Sequence, residues 1–141
     1  MVELPEWEDG TVAVLSTGGG PPHAIPVSTV VRAGPAAVVL ALAVRRGSLA
    51  RLRAEPAVAL TLLGPGFACT ALGTARVVRE PMVSAERVAA VRIEVDELQD
   101  HRQPTFALEA AVAWRWTDPD AAARDAQLRA ELHALAAEPG R

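Results

Sequence analysis

Residues 36–63 read AAVVLALAVRRGSLARLRAEPAVALTLL, and this stretch decides the fold. Ala36–Val44 is almost wholly apolar and closely bounded by turn residues, as expected of a strand buried on both faces. Ser48–Glu55 (SLARLRAE) has helical spacing, with Ser48 as the expected N-cap and Pro56 as the stop. Ala57–Leu63 alternates and is read as a strand. Gly64-Pro65-Gly66 then turns the chain into Phe67–Val78, which returns as the second arm of a hairpin. Upstream, Thr11–Thr17 is a strand, Gly18–Pro22 a turn, His23–Val31 a second strand broken or edged at Pro26, and Arg32–Pro35 another turn. Downstream, Val88–Leu98 alternates, with Val91, Ile93 and Val95 on one side and Arg92, Glu94 and Asp96 on the other. His101–Pro104 is a loop, and Phe106–Trp116 is read as a last strand, although its alanines also suit a helix. Thr117–Asp120 has capping-box character, and Leu128, Leu132 and Leu135 mark the apolar stripe of a C-terminal helix over about 118–137. Six or seven strands joined by hairpin-length turns describe a mainly β, antiparallel barrel over about 11–116, with a short helix after the third strand. Closure would absorb most of the sheet edges.

The chain has 141 residues, suited to a single domain spanning 1–141. Half of it is hydrophobic and 22% charged, which argues against disorder. The net charge of −3 gives no electrostatic footprint for nucleic acid. One cysteine excludes an internal disulfide and a multi-thiolate metal site, and accords with a reducing cytoplasm. The longest apolar run, Ala36–Val44, falls well short of the ~20 residues of a membrane span. The acidic start MVELPEWEDG is unlike a secretory signal. All 14 Lys+Arg residues are Arg, and Lys, Asn and Tyr are absent, which points to a GC-rich bacterial genome.

The densest chemical signal is Arg45-Arg46-Gly47-Ser48-Leu49-Ala50-Arg51. It places three guanidinium groups and a hydroxyl at a helix start, where free N–H groups and the helix dipole favour an anion. Phosphate is the natural guest; the competing reading is a solvated turn with Ser48 as a simple cap.

The succession HAIPVSTVV, turn, apolar strand, RRGSLARLRAEP, AVALTLL, GPGFACTALGTARVV resembles the pyridoxamine 5′-phosphate oxidase-like family of split-barrel flavoproteins. The resemblance covers about 11–79 well and the remainder in element order. It implies a six-stranded split β-barrel, a homodimer, and flavin sites at the subunit interface. It assigns Arg45, Arg46, Ser48 and Arg51 to the phosphate, with Arg51 where many relatives carry Lys. It assigns Pro26, Val27, Ser28 and Thr29 to the strand along the flavin ring. FMN is the cofactor expected, the deazaflavin coenzyme F420 the alternative, and haem or an empty site the non-catalytic alternatives. An oxidoreductase acting on a small organic substrate follows, with no acid–base side chain required. The chain lacks the Arg-rich C-terminal segment of the oxidase itself, so pyridoxamine phosphate is not the expected substrate. On this reading Arg51→Ala weakens cofactor retention by about 1.5–3 kcal/mol.

The remaining candidates carry less. His23, His101 and His133 lack metal-ligand spacing. His23 can approach the cofactor or simply begin a strand. His101 belongs to a polar loop that either borders a substrate entrance or is only solvated, and His133 to a surface or interface helix face. Cys69 reads as a buried, inert thiol. Trp114 and Trp116 share a face and suit either ring stacking or interface packing; Trp7 suits covering a partner subunit. Gly18–Gly20 is no P-loop, because no Gly-Lys-Ser/Thr follows.

Overall fold

The computed structural model describes residues 1–140. The elements run β1 (Ala13–Thr17), β2 (His23–Val27), β3 (Val31–Arg32), β4 (Ala37–Ala43), α1 (Gly47–Ala54), β5 (Ala57–Gly64), β6 (Phe67–Arg79), β7 (Val88–Asp100) and α2 (Pro119–Ala137). All strands belong to one curled antiparallel sheet in the order β2-β1-β5-β6-β7-β4-β3. The sheet wraps an apolar cluster in which Leu15, Val38, Leu40, Leu60, Leu62, Val91 and Ile93 are essentially fully buried. Leu49 and Leu52 of α1 join that cluster.

β4 is buried on both faces for a specific reason. Val38, Leu40 and Leu42 enter the inner cluster, whereas Val39 faces outward and packs with Leu132 and Leu135 of α2, together with Val31, Met82 and Ala90. The same cover explains β7. Its alternation predicts one wet face, yet Ala89 to Ile93 are all buried. α2 begins within the Thr117–Asp120 stretch, but with a simple cap in place of a capping box: Asp118 is the N-cap, its carboxylate accepts from the Asp120 N–H at 3.0 Å, and Pro119 opens the helix.

Three expectations need correction. The sheet has seven strands, not six, because His23–Val31 breaks into β2 and β3. β2 stays paired with β1 through Pro26 to Val27; the chain then leaves that edge, and the Thr29 side chain bonds the backbone of Ala41 in β4 before β3 begins. The short helix therefore follows β4. Phe106–Trp116 is neither strand nor helix. The segment instead runs over the surface, held by Gly66 N–H to Leu108 O (3.1 Å) and Trp114 Nε1–H to Gly10 O (2.7 Å). Finally, β2 and β3 stay as the two edges of the sheet rather than closing it. The N-terminal segment covers β3: Leu4 N–H donates to Pro35 O (2.8 Å), Trp7 Nε1–H to Val30 O (2.9 Å), and Arg32 Nε to Leu4 O (3.3 Å).

Candidate functional site

The break between β2 and β3 opens a cleft of about 530 Å³, within the few-hundred Å³ range of small-molecule sites. One wall is Ile25–Thr29 with Ala41–Ala43 of β4 and Arg46. The other is Ser84, Ala85 and Val88, Trp116, and Ala121, Arg124, Asp125 and Leu128 of α2.

The β4 wall follows from backbone geometry. Polar groups alternate between the two edges of a strand. Ala37 O accepts from Ala33 N–H at 2.8 Å, so Ala37, Val39, Ala41 and Ala43 turn their polar groups toward β3. β3 pairs only through Val31 and Arg32, opposite Val39 and Val38. Beyond it the edge of β4 faces the cleft. At Ala41 the Thr29 hydroxyl substitutes for a strand, accepting from Ala41 N–H (3.0 Å) and lying 3.2 Å from Ala41 O, to which it donates. Ala43 O accepts from Arg46 N–H (3.0 Å), which leaves the Ala43 N–H at the open edge with no strand opposite. Thr29 is thus a structural bridge in the wall, while Pro26, Val27 and Ser28 supply its surface.

The arginines of the Arg45–Arg51 segment separate. Arg45 and Arg46 are exposed, and Arg46 lines the cleft. Among the described residues, neither Arg46 nor Arg124 is in a salt bridge, whereas Asp125 pairs with Arg129 at 2.7 Å. Arg51 faces the β1–β2 turn. Its Nη1 donates to Pro21 O (2.7 Å) and Gly18 O (3.3 Å), while Glu55 at the end of α1 accepts from the Gly19 N–H at 2.7 Å. Ser48 is not the helix cap. Arg46 is the N-cap residue, without a side-chain cap, because Gly47 already begins the helix. Ser48 is fully buried, 3.4 Å from His23 Nδ1. Of the anticipated residues, the fold brings together Pro26, Val27, Ser28, Thr29 and Arg46 in one cleft; Arg45, Ser48 and Arg51 are outside its lining.

Sequence reasoning missed the second wall. Arg124 lies on the exposed side of an Ala-rich helix, and Ser84 lies in a loop with no motif. Trp116 was legible as one of a pair: it meets Trp114 edge-to-face at 5.4 Å, is 45% exposed, and lines the cleft.

The other candidates have partners elsewhere. His101 Nε2 lies 2.8 Å from Thr70 Oγ1, and His133 Nε2 lies 2.9 Å from the Asp9 carboxylate. Hydrogen bonds from Arg102 hold Asp100 at about 2, so that loop is internally paired. Cys69 is buried, and burial followed by the Asp100 charge pushes its thiol up, away from the reactive thiolate. Trp7 covers β3 of its own chain. Among the described residues no group of three or more His, Cys, Asp or Glu gathers as a metal site, and no helix is long and apolar enough to cross a membrane.

No protein-family description and no curated protein sequence matches the chain. Solved structures do. A Listeria innocua protein provisionally named a pyridoxamine 5′-phosphate oxidase superposes with a TM-score of 0.56 at 13% identity, over 66% of this chain and 90% of that one. An F420 reductase gives 0.54 at 13% identity, over 68% and 98%. A heme binding protein from Mycobacterium smegmatis gives 0.57 at 14% identity, over 70% of this chain and 52% of the other. Taken with the curled sheet and the helix between β4 and β5, these likenesses establish that the chain has the split-barrel fold of the pyridoxamine 5′-phosphate oxidase-like proteins.

Proposed function

We propose that the chain is an FMN-binding oxidoreductase acting on a small organic substrate, with the cofactor in the cleft between β4 and α2. The observation that carries this reading is the open β4 edge beside an unpaired guanidinium: Ala43 N–H and Arg46 line one wall. A heterocycle with ring acceptors suits a free strand-edge N–H, and a phosphate suits Arg46. Pro26, Val27, Ala41 and Leu42 give that wall a small, apolar surface that excludes water from one face of a planar ring. Ser28 offers the wall a hydroxyl. When bound, FMN supplies the hydride and electron chemistry, so no acid or base is demanded of the protein. Arg45 adds positive potential at the cleft mouth. Arg51 and Ser48 act from behind it, through the β1–β2 turn and His23.

Coenzyme F420 is the second reading. Arg124, on the opposite wall, adds a guanidinium beyond what one phosphate requires, and suits a cofactor with further anionic groups. Haem is less suited, because the described lining includes no His, Cys, Met or Tyr to serve as an axial ligand. We further propose a homodimer. Phe106, Val112, Trp114 and Trp116 are exposed along one surface segment and supply apolar area for a second copy. A cytoplasmic setting accords with the single, unpaired Cys69.

Absorption spectra of the protein purified without added cofactor, then after FMN and after F420, test the proposal. A flavin band, or saturable uptake of either coenzyme followed by turnover with a reduced nicotinamide, is the expected result. Uptake without turnover makes the chain a carrier, and no uptake of either overturns the cofactor reading.

A further inference from the structure

α2 is held to the sheet mostly by apolar contacts, Leu128, Leu132 and Leu135 against Val31, Val39, Met82 and Ala90. Such contacts are non-directional and tolerate sliding and rotation. Two polar ties add direction: His133 meets the Asp9 carboxylate of the N-terminal segment at 2.9 Å, away from the cleft, and one buried carboxylate joins the helix to the sheet. Glu131, whose side chain is only 9% exposed, accepts from Arg79 Nη1 (3.0 Å), Val83 N–H (2.9 Å), Ser84 N–H (2.7 Å) and Ser84 Oγ (2.6 Å). These bonds tie α2 to the end of β6 and to the loop that leads into β7. Both tied parts belong to the cleft. Ser84 and Ala85 line it directly, and Leu128, Asp125 and Arg124 stand one to two turns before Glu131 on the same helix.

We infer that Glu131 is a positioning residue of the cleft: it locks the 83–84 loop to α2 as one rigid wall and so sets that wall's distance from β4. The inference rests on the proposed cofactor cleft for its functional meaning, but the locking is measurable without any cofactor. Glu131 lies outside the cleft lining. It acts through Ser84 and through the helix. A carboxylate with several charge-assisted or amide donors is a rigid join, because each donor fixes direction as well as distance.

The test compares hydrogen exchange and FMN affinity in the full chain for wild type, Glu131→Ala, Glu131→Gln and Ser84→Ala. Arg102→Ala serves as a control that removes an ion pair outside the cleft. Glu131→Ala is expected to raise exchange at 83–85 and through 121–128 at least tenfold, to leave β1 and β5 unchanged, and to weaken FMN tenfold or more. Glu131→Gln keeps the volume and one acceptor oxygen and is expected to fall between wild type and alanine. Ser84→Ala removes one donor and is expected to show the same pattern at smaller size, so an unfolded alanine variant does not end the test. Exchange that rises only at 83 and 84 overturns the inference. So does an FMN affinity that Glu131→Ala and Arg102→Ala lower equally. Absence of FMN uptake by wild type contradicts the cofactor reading alone, and the exchange pattern then still decides the lock.

Discussion

Arg46 and Arg51 stand five positions apart in one basic segment, and the fold gives them different work. Arg51 satisfies the carbonyl oxygens of Gly18 and Pro21 and holds the β1–β2 turn against α1. Arg46 makes no side-chain hydrogen bond within the described chain and opens into the cleft. A segment that reads as one anion-binding cluster therefore divides into a turn clasp and a cleft-facing charge. What separates them is their backbone setting: Arg46 is the extended N-cap residue ahead of α1, whereas Arg51 lies within the helix and faces the β1–β2 turn.

The largest expected effect is on the cleft-facing member. Arg46→Ala is expected to weaken FMN by about 1.5–3 kcal/mol, the scale of a hydrogen bond to a charged group, with little change in thermal midpoint. Isothermal titration and a melting curve on the same variant check it, and an unchanged affinity breaks the division. Thr29→Val sharpens it from the wall side. The isosteric change removes the hydroxyl that serves Ala41 N–H and O, and is expected to cost about 1–2 kcal/mol in urea unfolding. A variant as stable as wild type would mean that water replaces the bridge. Arg51→Ala is expected to cost about 1 kcal/mol of stability while FMN affinity stays within about threefold of wild type. A loss of affinity equal to that of Arg46→Ala would return Arg51 to the phosphate.

The smallest signal is a pH slope from the opposite wall. Burial opposes ionisation of Glu131. The Ser84 hydroxyl, the Ser84 and Val83 amides and Arg79 outweigh it and hold the carboxyl at about 2 rather than its ordinary 4.5. A depressed carboxylate contributes stability above the unfolded value and loses it as pH falls toward the folded one. Wild type is thus expected to lose stability between about pH 5 and 2, and Glu131→Gln to show a shallower slope there. Equal slopes would remove Glu131 as the source.

Much of the sheet was legible because burial leaves a period in the sequence. The run Ala37–Ala43, the hairpin through Gly64–Gly66, and the stripe Leu128, Leu132 and Leu135 all carry it. Phe106–Trp116 misled because apolar and β-prone residues do not by themselves make a strand: the segment runs over the surface, held by single hydrogen bonds at Gly66 and Gly10 rather than by a ladder. The β2–β3 break falls at 28–30, beyond Pro26, and that a threonine side chain would stand in for a strand there depends on β4 lying alongside. The first cleft wall was readable from its resemblance to flavoprotein strands. The second wall was not, because Ser84 is far in the chain from Trp116 and Arg124 and meets them only when α2 docks. A charge on an Ala-rich helix has no local feature that marks it as cleft-facing.

The most direct test of the central claim is hydrogen exchange of the full chain with and without saturating FMN. The account predicts new protection at 27–29 and 41–43, with the α1 segment at 48–54 unchanged. Protection confined to 45–51, or none at any amide despite saturable uptake, would place the cofactor elsewhere and contradict it.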